Sequence, residues 1–321
     1  MVGLLEGASA FPTAIVIGAH YDHLGLGGRH SLAPDKTEPH LGADDNASGV
    51  AALLEIAREL SARREELKRD VLFVAFSAEE SGVLGSTHFT RERGEAGMKG
   101  IAAMINLDMV GRLRGNRLTV LGSDSAEEWG SLIKPACEKA RVECVTFGDG
   151  YGPSDQTPFY AAGVPVLHFF TGAHSDYHKP SDAPEGVNAA GVAQVASIVA
   201  SVALSLGERA ALSYRKVPSP APRGDVRSFN ASLGTVPDYA GPANGQKGVL
   251  LSAVRPGGGA DQAGMRRGDI LIRLGKHEIG SVEDFMYVLN SSKPGETVSA
   301  VILRDGQEVH LETTFQETKR R

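Results

Sequence analysis

Apolar, often β-branched runs alternate with segments of helical spacing through the first two thirds of the chain. Residues 14–19, 71–77, 101–107, 118–121 and 164–170 read as strands, most of them buried on both faces because their apolar character is continuous. Between them, residues 47–62, 82–91 and 126–140 carry helical periodicity, and 188–208 form a long closing helix. Such alternation implies a largely parallel sheet covered by helices on both sides. The pattern then changes. Residues 214–228 place Pro218, Pro220 and Pro222 among charged residues, a stiff, solvated linker. Beyond it come short strands in GVLLSAV and DILIRLG, a helix at 281–290, and a hairpin turning at Asp305-Gly306. Three segments follow: a domain over 1–213, the linker over 214–228, and a small β-rich domain over 229–321.

Composition narrows the function classes. With 321 residues, 41% of them hydrophobic and 22% charged, the chain can bury a full core and fits two domains. A net charge of −6 argues against a nucleic-acid partner, which calls for a basic face. The charge is uneven: residues 1–213 hold 18 Lys+Arg against 27 Asp+Glu, whereas 214–321 hold 15 against 12. The one long apolar stretch, 189–206, is rich in Ala and Ser and interrupted by Gln194, so it reads as a packed helix rather than a membrane span. No signal peptide is visible. The chain opens on VGLLEG, which resembles the middle of a strand, so upstream sequence is expected. Cys137 and Cys144 have no histidine at metal spacing beside them and read as two free thiols, buried or partly so, with a disulfide between them as the alternative.

Candidate chemistry gathers where the strands should end, the place open α/β sheets put their ligand sites. The stretches are AIVIGAHYD (His20, Asp22), GADDNASG (Asp44, Asp45), VLFVAFSAEE (Glu79, Glu80), AAMINLD (Asp108) and SDYH (Tyr177, His178). Zinc takes nitrogen from histidine and oxygen from carboxylates, and two close metals need a bridging carboxylate. His20, Asp44, Glu80, Asp108 and His178 fill that count. Asp and Asn are also good helix caps, so Asp44 and Asp45 can divide the roles of cap and ligand. Two glutamates ending an apolar strand would be costly without a compensating charge. One can bind metal while the other stays free beside metal-bound water, as a general base requires. Asp22 lies where a carboxylate would fix the His20 tautomer. His23, His30, His40, His88, His168, His277 and His310 read as structural or exposed; His174 lies close enough to the SDYH loop for a substrate role.

These motifs, in this order, resemble the zinc aminopeptidases of peptidase family M28, over about residues 1–210, which implies a three-layer α/β/α fold around a mixed, largely parallel sheet. The resemblance implies two Zn2+ per chain, with Co2+ or Mn2+ as substitutes, bridged by Asp44. His20 and Asp108 would complete one metal, Glu80 and His178 the other. Glu79 would be the general base, Asp22 the partner of His20, and Tyr177 a donor to the developing oxyanion. It also implies a cis bond between Asp44 and Asp45. Residues 230–317 resemble a PDZ domain, on AGMRRGDIL and the 281–290 helix. Its carboxylate-binding loop would fall at LGTVPDYA, where the match is poor, so a peptide ligand, an intramolecular ligand and a structural role all remain open.

The implied function is removal of N-terminal residues from peptides with a free N-terminus, without nucleic-acid or membrane-spanning partners. Relatives on this fold also include carboxypeptidases, dipeptidases and one-zinc glutaminyl cyclases. A non-catalytic PDZ-containing binding protein would be expected to have lost a ligand, and every ligand is present. The family pattern further implies an exported full-length protein, periplasmic or secreted.

Overall fold

Seven strands build one sheet: β1 (Val2–Leu5), β2 (Ala14–His20), β3 (Val71–Phe76), β4 (Ile101–Leu107), β5 (Arg117–Leu121), β6 (Glu143–Phe147) and β7 (Val166–Phe170). The computed structural model describes residues 1–8, 10–28, 31–33, 35–152, 154–172, 174, 176–216, 231–237, 242, 246–280, 284–285, 288–289 and 292–317. It divides into two compact units, Met1–Gly172 with His178–Pro218, and Ser219–Arg321 with Ala173–Tyr177. The proposed linker lies outside the described residues from 217 onward.

Strand order is β1-β3-β2-β4-β7-β5-β6. The four central strands run parallel, β2 pairing with β3 and β4, and β4 with β7. The edges reverse: β1 is antiparallel to β3, and β5 is antiparallel to β7. The apolar runs are continuous because each strand feeds two cores. Ile15, Ile17 and Ala19 of β2 join Ile105 and Leu107 under α1 (Gly49–Ala62), α3 (Trp129–Ala140) and α5 (Ala189–Gly207). Val16 joins Val74, Phe76 and Met104 on the opposite face, with α2 (Leu84–Met98) and α4 (Gln156–Ala161). On that face Gly18 is obligatory: a Cβ there would meet the Phe76 ring at 2.5 Å. This is the expected three-layer α/β/α arrangement. Helix α5 is long and apolar enough to cross a membrane, but eleven of its residues, Val195 and Val199 among them, are buried in the unit's own core.

Several elements differ from their sequence signals. Helix α2 continues to Met98 past a break at Gly94 (φ 60°, ψ 179°). β6 and α4 carry little apolar periodicity; β6 is an edge strand whose residues are half-buried or exposed, so no continuous run marks it. Cys137 and Cys144 are not free thiols: they form a disulfide tying the end of α3 to β6. They stand seven positions apart, and the turn between helix and strand brings their Cα atoms to 6.0 Å.

In the second unit, strands β8 (Ala231–Ser232), β9 (Thr235–Pro237), β10 (Val249–Val254), β11 (Ile270–Leu274), β12 (His277–Glu278), β13 (Thr297–Arg304), β14 (Gln307–Thr314) and β15 (Gln316–Glu317) accompany a short α6 (Gly259–Gln262). The main sheet runs β14-β13-β11-β10-β9 around Leu251, Leu271, Ile302 and Phe315. Asp305 (φ 51°) and Gly306 (φ 79°) make the expected two-residue hairpin turn, which needs positive φ at both positions. Buried Asp269 takes two hydrogen bonds from Arg304, each 2.8 Å, locking β13 to the turn before β11. Of the 281–290 helix, residues 284, 285, 288 and 289 are helical and the remainder lies outside the described residues, as do 238–240 of LGTVPDYA.

Candidate metal centre

The ligand-bearing segments leave the carboxyl ends of β2, β3, β4 and β7, four adjacent strands. His20 is the last residue of β2, paired with Phe76 at the end of β3. Glu79 and Glu80 follow β3, Asp108 follows β4, and β7 leads to the turn that holds Tyr177 and His178. The register therefore gathers chemistry that is 158 positions apart in sequence, from His20 to His178, at one end of the sheet.

Asp45 sits at the centre. Its Oδ1 lies 3.3 Å from His20 Nε2, and its Oδ2 lies 3.1 Å from His178 Nε2. His20 Nε2 is also 3.3 Å from Asp108 Oδ1, and His178 Nε2 is 3.2 Å from Glu80 Oε2. Donors bonded tetrahedrally at about 2.0–2.1 Å stand about 3.3 Å apart, so these spacings suit a metal in each group. Two clusters with metal-binding donor spacing share Asp45: His20, Asp45 and Asp108, and His23, Asp45 and Glu80.

Asp44, expected as the bridge, is turned away. Its Oδ1 accepts hydrogen bonds from Gly111 N (2.6 Å) and Ser48 Oγ (2.9 Å), beneath the first turn of α1. The cis bond joins Asp45 to Asn46 rather than Asp44 to Asp45. Adjacent residues cannot send their side chains the same way, and the non-helical backbone at Asp45 (φ −104°, ψ 88°) delivers the second aspartate to the site.

Asp22 also departs from expectation. Its main-chain oxygen, not its carboxylate, meets His20 Nδ1 at 3.1 Å; the carboxylate stands at 3.8 Å. That carboxylate instead accepts from Glu79 N (3.0 Å) and Glu80 N (3.2 Å), fixing the acidic pair at the end of β3. Glu79 Oε2 reaches to within 3.8 Å of His20 Nε2. Tyr177 is half-buried in the turn before His178, its N–H donating to His174 O at 3.2 Å.

Sequence reasoning passed over four residues that organise this centre. Asn46 donates to the carbonyls of His20 (3.3 Å) and Leu107 (2.9 Å) and accepts from Gly49 N and Met109 N, tying β2, β4 and α1 together. Ser154 donates to Asp108 Oδ2 at 2.7 Å. Asp182 accepts from Asp44 N (2.9 Å) and Asp45 N (3.0 Å) and pairs with Arg112 (3.1 Å). His23, read as structural or exposed, brings Nδ1 to 3.1 Å from Glu80 Oε1. The signal for Asn46 and Asp182 lay in the motif strings themselves, GADDN and YHKPSD.

The backbone is strained here. Ala78, Met109 and His178 adopt positive φ (56°, 54° and 54°), beside Glu79, after Asp108 and at a donor itself. Each such non-glycine residue costs roughly 1–3 kcal/mol, and strain of this kind collects at functional sites.

Electrostatics point the same way. Burial opposes charge on His20, but Asp108 and Glu79 outweigh it and raise its pKa well above the ordinary value. Burial likewise opposes charge on His178, while Asp45 and Glu80 raise it to about 10. Asp45, Glu80 and Asp108 are pushed up by burial, yet the neighbouring imidazoles bring all three below the usual carboxylate range. Burial pushes a further carboxyl, Asp155, up to about 7, with Asp108 and Asp22 adding to the rise. Asp45, Glu79 and Glu80 are buried, and with Asp108 they crowd four acidic side chains around His20, His178 and His23. Bound cations would balance them, and the donor set fits that role.

Comparison with known proteins agrees with this geometry. A family model described as peptidase family M28 matches residues 1–203, and a PDZ domain model matches 232–315. Aminopeptidase YwaD of Bacillus subtilis is 31% identical over 198 residues, covering 59% of this chain and 40% of its own. The solved structure of a zinc aminopeptidase from Bacillus subtilis superposes with a TM-score of 0.52 at 26% identity, over 67% of this chain and 50% of that one. An aminopeptidase from Aneurinibacillus sp. strain AM-1 gives a TM-score of 0.54 at 25% identity, over 69% and 50%. The chain spans about half or less of the length of these relatives.

Proposed function

Since the chain belongs to peptidase family M28, with a PDZ domain after its peptidase domain, we propose that it is a dinuclear metallo-aminopeptidase, with zinc as the metal. The observation that carries this reading is Asp45, whose two oxygens stand 3.3 Å from His20 and 3.1 Å from His178. In this reading Asp45 would serve both metals, with His20 and Asp108 as the further residues that would hold one and Glu80 and His178 those that would hold the other. Bound zinc would supply Lewis acidity and bring water towards a pKa of about 7.

The remaining work falls to side chains. Glu79 takes the proton of the attacking water and returns it to the leaving amine. Asp22 keeps Glu79 and Glu80 in separate roles by binding both of their N–H groups. Tyr177 donates to the oxyanion, and carboxylates at the site receive the substrate's ammonium, which restricts cleavage to free N-termini. The disulfide supports an oxidising compartment, in keeping with an exported protein; finding both thiols free in the native chain would oppose it.

The assay is cleavage of leucyl-p-nitroanilide and an unblocked peptide, before and after chelation, with zinc restored and an N-acetylated control. Chelator-sensitive cleavage restored by zinc, and absent on the blocked peptide, is expected. Cleavage of the acetylated peptide from either end would instead indicate another hydrolase. Glu79→Ala should lower kcat by roughly 10²–10⁴-fold with about two metals retained; metal loss would make Glu79 a ligand.

A further inference from the structure

The two halves of the centre are not equivalent in nitrogen. Among the described residues, the ring nitrogen paired with the Asp108 carboxylate is that of His20, while His168 lies near Asp108 and meets its main chain; the Glu80 carboxylate is paired with two ring nitrogens, of His178 and His23. His178 approaches Glu80 from Oε2 (3.2 Å), and His23 Nδ1 approaches from Oε1 (3.1 Å). His23 Nδ1 is also 4.0 Å from Asp45 Oδ2, the oxygen that His178 faces at 3.1 Å. The two rings meet edge to face with centroids 5.8 Å apart.

His23 is also held in place. Its side chain is only 10% exposed, so it is not a solvated surface group. The GADDN loop presses against it: a Cβ on Gly42 would lie 2.6 Å from His23 Cγ, and the φ of +58° at Gly42 favours glycine independently. A ring packed so closely beneath the loop that carries Asp45 has one nitrogen directed at two carboxylates that the second metal needs. Imidazole is a favoured zinc donor, and the Nδ1, Asp45 and Glu80 donor atoms lie within 4.8 Å of one another.

We propose that His23 is a fourth protein donor to the second metal, alongside Asp45, Glu80 and His178. The inference rests on the dinuclear reading above. It makes the pair asymmetric: the second site has four protein donors, as in closed structural zinc sites, whereas the first has three, His20, Asp45 and Asp108. Glu79 lies on the three-donor side, 3.8 Å from His20 Nε2, so proton transfer and the more open site coincide. The second metal then binds first and holds the centre together, and the first is the more readily exchanged.

The test is proton NMR of the full chain loaded with Co2+, in water, counting the exchangeable imidazole N–H signals shifted far outside the normal range by the paramagnetic ion. Three are expected, from His20, His23 and His178, with one lost in His23→Ala. Two signals with two cobalt ions bound would overturn the inference and leave His23 as a hydrogen-bond donor to Glu80. Failure to bind two cobalt ions would overturn the dinuclear reading and this inference together. Calorimetric titration supplies a second readout. In His23→Gln the tighter of two binding steps should weaken at least tenfold, with the weaker step unchanged; unchanged affinity at both steps would also overturn it.

Discussion

Asp45 and Asp44 differ by one position, yet one carboxylate meets two imidazoles and the other is hydrogen-bonded beneath a helix. The residue types of the centre were legible because buried carboxylates at strand ends demand a cation. Which of two adjacent aspartates turns inward was not, because backbone dihedrals at a kinked turn decide it. His23 was illegible for a related reason: a histidine in a polar segment looks like a surface residue until the Gly42 loop is laid across it. At this scale the pKa shifts make a prediction. In the metal-free chain His178 (about 10) and His20 (well above 6.5) carry protons at neutral pH, and each must lose its proton to bind metal. Metal affinity should therefore rise with pH through neutrality, with about two protons released per chain on loading near pH 7.5. Calorimetry in buffers of different ionisation enthalpy measures that release; a binding heat independent of buffer would contradict it.

The long, continuously apolar elements were readable, whereas short or half-exposed ones were not. β2, β3, β4 and β7 announce themselves because both faces are buried, and their parallel register then fixes where their carboxyl ends meet. β6 lacks that signature, so the sequence put Cys144 only in the segment after a helix and did not choose between free thiols and the disulfide that forms. The connection between elements that matters most is Asp182. From the segment after His178 it grips the backbone of the Asp44–Asp45 turn and Arg112 at once. Asp182→Ala would remove the carboxylate that pairs with the buried Arg112 and holds two N–H groups of the turn, and should destabilise the fold by roughly 3–5 kcal/mol. Denaturant unfolding measures it, with Asp182→Asn expected to cost less because it keeps an acceptor. A loss below about 1 kcal/mol in Asp182→Ala would show that the turn holds itself.

At the scale of the whole molecule the sequence is acidic before residue 213, with 18 Lys+Arg against 27 Asp+Glu, and carries 15 against 12 after it, while the structure divides into units that part at 218 and 219, with residues 173–177 in the second. The metal donors all belong to the acidic unit. Zinc at 100 times its dissociation constant stabilises the folded state by about 2.7 kcal/mol per site. Scanning calorimetry should therefore show zinc raising the melting transition of the peptidase unit while that of the PDZ unit stays within about a degree. Equal shifts in both transitions would mean that zinc binds elsewhere as well.

The central claim, that Asp45 joins two metal sites at the ends of β2, β3, β4 and β7, is tested most directly by anomalous diffraction at the zinc edge from crystals of the zinc-loaded chain. Two peaks about 3.5–4 Å apart are expected, one beside His20 and Asp108 and one beside Glu80 and His178, with Asp45 in contact with both. A single peak, or a pair bridged by Asp44, would contradict the account.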